Sequence, residues 1–226
     1  MLKNQNSIST RYAWMSGLIF VLLLLAIKAN SALLLKLDTG IIGIVQDSLP
    51  EFETTLMTLV SKIAEPSFAI VYAVIIAAIL WFMRLQVDAI WTLATIGGGD
   101  VVAYIFKEIV QRARPRWNQI IPESGYSFPS GHTFGAVIIV FFILWFFVSQ
   151  IRSTTIQKVS QIGLIIWVVL VMYSRIYLGA HYPSDVFGAF FLAVAWLAIA
   201  RWLYKLLYNF VAKVVEPRSE GRHSQH

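Results

Sequence analysis

The sequence predicts an all-α, polytopic membrane protein with six transmembrane helices and short interfacial helices on the outer side. Three observations carry that reading. Of the 226 residues, 58% are hydrophobic and only 13% are charged, about half the charged share of a soluble domain. The mean hydropathy is +0.70. The apolar residues also fall into six long blocks rather than being dispersed. A disordered chain and a disulfide-stapled secreted domain are both excluded, because the chain is apolar and contains no cysteine. Thiol catalysis and Cys-ligated zinc are excluded with them.

A spanning helix needs about 20 mainly apolar residues to cross about 30 Å of hydrocarbon. The first block runs over 13–27, with a longer alternative reaching Leu35 past Lys28 and Asn30. The others are 67–83, 87–106, 133–149, 157–173 and 185–204. Trp81, Trp91, Trp202 and Tyr204 sit near block ends, where an interfacial aromatic belt belongs. The basic start, apolar run and small residues at 29–32 could be read as a signal peptide. Retaining the block as a span keeps the topology even and consistent in sign. The 33–63 stretch is amphipathic, acidic and broken by Pro50, and is expected to lie along the outer interface as short helices. Residues 1–215 form a single domain in this reading. The polar tail 216–226, which holds His223 and His226, is expected to be disordered and solvated.

Orientation follows the placement of Lys and Arg. With both termini cytoplasmic, Lys3, Arg11, Arg84, Arg152, Lys158, Arg201, Lys205, Lys213, Arg218 and Arg222 all fall inside. The outer connection 36–66 carries Lys36 and Lys62 against Asp38, Asp47, Glu51, Glu53 and Glu65. Two outer segments break the rule: one with Lys107, Arg112, Arg114 and Arg116, the other with Arg175. Cations gathered on that side point to an anionic ligand.

Three short segments carry the chemistry. Lys107 to Arg114-Pro115 continues the third apolar helix until Pro115 stops it, so that Lys107 and Arg114, seven apart, project from one face. Arg offers a planar fork to phosphate oxygens and Lys a compact charge; snorkelling to lipid headgroups is the competing account. Pro129-Ser130-Gly131-His132 precedes the fourth block. There Ser130 is placed to cap the helix, Gly131 admits a ligand close to the backbone, and the free N–H groups favour an anion. His132 stands at the rim; a plain helix cap is the alternative. In the third segment, Ser174-Arg175 is followed by His181 and Asp185, with Pro183 suited to the first turn of the sixth helix. Four residues apart, the Asp185 carboxylate can hold one imidazole nitrogen of His181 and leave the other free to attack, or the pair can merely cap the helix.

Together these residues resemble the type 2 phosphatidic acid phosphatase family, whose pattern is Lys-x6-Arg-Pro, Pro-Ser-Gly-His and Ser-Arg-x5-His-x3-Asp. Every position is matched, from Lys107 to Asp185. Among its members the chain resembles the short bacterial integral-membrane enzymes grouped with phosphatidylglycerophosphate phosphatase B and undecaprenyl pyrophosphate phosphatases. The resemblance implies hydrolysis of phosphatidylglycerophosphate, phosphatidic acid or undecaprenyl pyrophosphate through a phosphohistidine, with no metal and no cofactor. His181 would be the nucleophile, Asp185 its orienting partner and His132 the acid and base. Lys107, Arg114, Arg175, Ser130 and Gly131 would bind the phosphate. The partners implied are the lipid substrate and membrane lipids, with no nucleic acid, at the outer face of a cytoplasmic membrane. A lipid phosphotransferase using the same intermediate is the alternative, and a non-catalytic anion carrier a further one. Outside the motifs, Arg112 and Arg116 are expected to face headgroups. Asp100 is read as a functional intramembrane carboxylate or, on the milder account, a helix-packing one. Glu123, Tyr126 and Phe128 are placed at the entrance.

Overall fold

The computed structural model describes residues 10–116 and 119–215; the tail 216–226, with His223 and His226, lies outside the described residues. Those residues form eight α-helices and no strand. In chain order they are α1 (Thr10–Lys28), α2 (Ala32–Val45), α3 (Glu51–Ile63), α4 (Pro66–Phe82), α5 (Gln86–Val110), α6 (Gly131–Phe146), α7 (Thr154–Tyr177) and α8 (Pro183–Val215). A short 3-10 turn, Val148–Gln150, follows α6. The apolar blocks overlap α1, α4, α5, α6, α7 and α8 in turn. Helix starts follow local chemistry. Pro66 opens α4 at a position where its missing N–H costs nothing, and the Ser31 hydroxyl accepts from Leu34 N at 3.4 Å to open α2. The longer first span does not form, because α1 stops at Lys28 and Asn30 turns the chain at φ 50°.

Five helices are long and apolar enough to cross a membrane, and α3 with α4, bent by 51° at their junction, makes a sixth if counted as one span. The bundle is wrapped in exposed large apolar side chains, among them Ile70, Ile75, Ile105, Ile162, Ile166 and Val169. A surface so apolar would be an aggregation hazard in water and is the expected exterior in lipid. Of the aromatic residues read as a belt, Trp81 and Trp202 are exposed, but Tyr204 is buried because its hydroxyl donates to Asp88 Oδ1 at 2.8 Å.

Helix α6 is the axis of the bundle: it touches α4, α5, α7 and α8, and most of its side chains are buried. Helix α1 lies along α8, and α5 approaches α8 where Gly98 and Gly99 leave room for the Trp196 ring, whose Nε1 donates to Thr95 O at 2.8 Å. The 32–63 segment is more tightly joined to the body than an interfacial strip requires. Gln46 Nε2 donates to Tyr177 O at 2.8 Å, and Tyr173 donates its hydroxyl to Glu53 at 2.9 Å. Ile42 is buried with Ile176 and Val186. Helices α2 and α3 thus cover the end of the bundle where α7 finishes and α8 begins.

That end depends on one close approach. Phe128 is fully buried, and a Cβ at residue 188 would lie 2.4 Å from its Cε2 atom. The ring has no room to retreat, so Gly188→Ala is expected to cost about 1–3 kcal/mol by overpacking. Thermal unfolding of the purified variant in detergent checks this; an unchanged midpoint would contradict the packing described.

Candidate active site

The motif residues converge at this covered end, although not all in the expected way. The expectation that Lys107 and Arg114 share one face of a continuous helix is corrected. Helix α5 ends at Val110, Gln111 takes the left-handed conformation at φ 52°, and its N–H closes on Lys107 O. The chain then runs without regular structure through Pro115. Leaving the helix lets the arginine side chains reach across to α2, α8 and the loop before α8, which a helical face would not allow.

Arg114 spreads its fork over backbone carbonyls. Nε donates to Gly125 O at 3.1 Å, Nη2 to Ser124 O at 3.0 Å and Nη1 to Ala180 O at 2.9 Å. Nη1 also lies 3.1 Å from His181 Nε2. An arginine N–H can only donate, so this contact is a hydrogen bond when Nε2 carries the lone pair and Nδ1 the proton. Arg175 is fully buried and donates to Ser61 of α3 and to Glu123. Glu123 also pairs with Arg114 at 3.4 Å, so one carboxylate bridges two arginines read as phosphate ligands. Burial pushes the Glu123 carboxyl upward, but Arg175 and Arg114 outweigh it and hold it below the usual 4.5. Arg114 shifts the other way: burial lowers it from its ordinary value, against the pull of Glu123.

His181 is buried, two residues before α8 begins. Its Nδ1 lies 3.6 Å from Asp185 Oδ2, just beyond a direct hydrogen bond, and has no other partner among the described residues. Asp185 is fully buried and held firmly. Oδ2 accepts from Tyr182 N at 2.9 Å, and Oδ1 pairs with Arg112 Nη1 at 2.5 Å. Arg112 therefore does not face headgroups, contrary to the expectation from the sequence. The buried carboxylate of Asp185 needs a countercharge, and Arg112 supplies it. Its other arm reaches Asp38 of α2 at 2.7 Å, and its guanidinium stacks 4.0 Å from the centre of the Tyr182 ring. Burial works against the Arg112 charge, but Asp185 and Asp38 prevail and raise it above its ordinary value.

Ser130 stands at the N-cap of α6, but its hydroxyl accepts from Thr133 Oγ1 at 3.3 Å instead of capping a backbone N–H. Gly131 lets Pro66 approach to where a Cβ would be 3.3 Å from its ring. His132 and His181, with Lys107, Arg114 and Gly131, line a cavity of about 460 Å³ that opens beside the α3–α4 bend. Arg175 lies behind it, joined to it through Glu123. Asp100 is exposed on α5, and Phe128 is locked in the core rather than at an entrance. Among the described residues, no three His, Asp or Glu side chains gather as a metal-ligand set. The sequence reading missed Asp38 and Ser61 as members of the site and the pairing role of Glu123. A carboxylate inside the apolar run Ala32–Val45 was the available signal for Asp38.

Fold and cavity define the class first: a multi-pass helical membrane protein with two imidazoles and several cations gathered at one end of the bundle, chemistry suited to a phosphoryl group. Residues 88–209 match the PAP2 superfamily, and the chain belongs to that family. It is 33% identical over 141 residues to phosphatidylglycerophosphatase B of Bacillus subtilis (strain 168), covering 62% of this chain and 69% of that protein. It is 31% identical over 153 residues to phosphatidylglycerophosphatase B of Escherichia coli (strain K12), covering 64% of this chain but 55% of that protein. The crystal structure of a transmembrane PAP2 type phosphatidylglycerolphosphate phosphatase from Bacillus subtilis matches with a TM-score of 0.76 at 26% identity, over 86% of this chain and 96% of that one. The protein is accordingly a membrane enzyme, a phosphoric monoester hydrolase.

Glu123 occupies the two arginines, Arg114 and Arg175, that the sequence reading assigns to phosphate. Glu123→Gln should therefore tighten inhibition by inorganic phosphate about three- to tenfold, in line with removing one competing charge-assisted contact. The inhibition constant measures it, and weaker inhibition would show that Glu123 instead holds the arginines in place.

Proposed function

We propose that this protein removes the terminal phosphate of a lipid phosphate or pyrophosphate through a phosphohistidine, without a metal, at the outer face of a cytoplasmic membrane. Phosphatidylglycerophosphate leads the candidate substrates, since it is the one that the relatives' names carry, followed by phosphatidic acid and undecaprenyl pyrophosphate. Residues 1–215 act as a single domain with six spans, α3 and α4 entering as one bent unit and α2 lying at the outer surface.

The observation that carries the reading is the His181 imidazole, with Nε2 turned to Arg114 and Nδ1 toward Asp185, on the same cavity as His132. In the first step the Nε2 lone pair forms a bond to phosphorus while the bond from phosphorus to the leaving oxygen breaks. His132 gives its proton to that oxygen. Asp185 supports the positive charge that develops on His181. In the second step His132, now neutral, takes a proton from water. The hydroxide oxygen bonds to phosphorus, the phosphorus–nitrogen bond breaks and inorganic phosphate leaves. Lys107 and Arg114 stabilise the equatorial oxygens from the cavity wall and Arg175 adds its charge from behind it, with Arg114 passing from His181 to the phosphoryl group and Glu123 giving up the arginines. Ser130 and the N–H of Gly131 add donors at the positive end of α6.

Phosphate release from these lipids in mixed micelles tests the proposal. It should persist in EDTA and disappear in His181→Ala, with kcat down by at least about a thousandfold, as for loss of a covalent nucleophile. Full activity in that variant would overturn the mechanism, and label found on a second lipid would favour the transferase instead. The pH dependence has a definite sign. Burial first, then Arg175 and Arg114, hold His181 well below the ordinary 6.5, so its neutral, nucleophilic form survives as the pH falls through 6.5. The acid limb of kcat/KM should accordingly lie well below pH 6.5; a limb at or above 6.5 would contradict this environment.

A further inference from the structure

Asp38 lies on α2, 147 positions before Asp185, in a part of the chain that no motif touches. It is nevertheless almost fully buried against the site. Its Oδ1 accepts from Ser184 N at 2.9 Å, and Oδ2 accepts from Ser184 Oγ at 2.6 Å and from Arg112 Nη2 at 2.7 Å. The other arm of Arg112 holds Ser184 Oγ at 2.7 Å and Asp185 Oδ1 at 2.5 Å. A chain of charge contacts thus runs from Asp38 through Arg112 to Asp185 and on to the Nδ1 side of His181.

The charges along this chain explain why α2 contributes. Arg112 and Asp185 alone would form a neutral pair. A neutral pair offers little to an imidazole that must become positive, particularly beside Arg114, Arg175 and Lys107. With Asp38 present, one guanidinium is shared between two carboxylates, and the cluster keeps a net negative charge at the back of His181. The same contacts fix geometry. Asp38 and Ser184 settle Arg112, which sets the plane of the Asp185 carboxylate and so the side it shows to Nδ1. Outer partners of this kind, acting through a group that touches the reacting residue, are commonly worth about ten- to a hundredfold in activity.

We propose that Asp38 is a positioning residue of the phosphatase site, acting through Arg112 and Asp185 on His181. The proposal rests on His181 being the nucleophile. It places one determinant of turnover in the α2 segment, outside the residues 88–209 that match the family.

The test is steady-state kinetics on the full chain in mixed micelles with phosphatidylglycerophosphate. Asp38→Asn is nearly isosteric and should lower kcat about tenfold or more, leaving KM within about twofold, because Asp38 is remote from the phosphate cavity. Asp38→Glu, which keeps the charge, should recover part of the loss. Asp38→Asn combined with Asp185→Asn should be no slower than Asp185→Asn alone, since both act along one chain. A wild-type kcat in Asp38→Asn overturns the proposal. So does a loss that multiplies fully with that of Asp185→Asn, or one expressed only in KM, since each describes an ordinary structural role. Should Asp38→Asn not fold, Arg112→Lys reads the same chain. An ammonium cannot bridge both carboxylates with the geometry of a fork, so the same kcat loss is expected and an unchanged kcat overturns the proposal. His181→Ala separates the two levels. If it stays active, the nucleophile reading falls and this proposal with it; if it is inactive while Asp38→Asn matches wild type, only the proposal falls.

Discussion

A buried carboxylate at the end of a membrane bundle has to be neutralised where it stands, and much of this site's architecture follows from how Asp185 meets that demand. Water is excluded from it, so the countercharge must come from the protein. Arg112 provides it, and doing so requires α5 to stop at Val110 so that the following residues can reach α8. The segment is pinned as it crosses: Ser127 N donates to Arg112 O at 2.8 Å and Ser130 N donates to Asp185 O at 3.2 Å. These bonds join the ends of α5, α6 and α8 in one knot of backbone and charge. The two histidines sit at the rim of that knot.

A second consequence concerns the cations themselves. Each arginine of the site already holds an acceptor from the protein: carbonyl oxygens for Arg114, Ser61 and Glu123 for Arg175, two carboxylates for Arg112. Gathering them unpaired in a low-dielectric setting would be costly, so the fold supplies internal anions and dipoles in place of a ligand. These holdings are not equivalent. Arg112 is bound by buried groups on two helices and is a fixed part of the structure. Arg114 and Arg175 share Glu123, on a loop bordering the cavity, and in the proposed reading its carboxylate exchanges with an incoming phosphate. Arg114 and Arg175 thus share a partner on a loop beside the cavity, whereas Arg112, at an unspecified position of the same motif, is held by carboxylates buried in α2 and α8.

Sequence reading recovered what depends on local pattern. Six apolar blocks became helices because spanning segments must satisfy their backbone internally, and that need is legible as uninterrupted hydrophobicity. The residues of the cavity wall, His132, His181, Lys107 and Arg114, were legible because polar groups are scarce in such a chain and theirs lie at helix ends. The residues that hold this wall were not. Asp38 pairs with Arg112 across 74 positions and Ser61 with Arg175 across 114. No periodicity encodes contacts of that range. In one dimension Arg112 reads as a cation near a helix end that snorkels to headgroups; only the third dimension brings Asp185 beside it. Ending α5 at Pro115 was the reasonable reading of a helix breaker. The left-handed Gln111 ends the helix earlier, and the residues after it carry Arg112 across to Asp38 and Asp185.

The position of the site then links its chemistry to its setting. In the proposed reading, the reacting atoms lie where α5, α6, α7 and α8 terminate, not at mid-bundle. The N-termini of α6 and α8 supply unpaired N–H groups and a favourable dipole for an anion. They also lie near the depth of a lipid headgroup, so a phosphate can enter the cavity while its hydrocarbon stays in the bilayer beside the exposed apolar side chains. Only the phosphoryl group then has to be desolvated, and three cations with a helix terminus offset that cost at one place. The cover formed by α2 and α3 completes the arrangement. It shields Asp185 and Arg175 from water and brings Asp38 and Ser61 to them, yet leaves open the side at the α3–α4 bend where the cavity meets the surface. A segment that looked like an interfacial accessory is therefore the wall that keeps the site's charges strong, because charges interact most strongly where water is kept out.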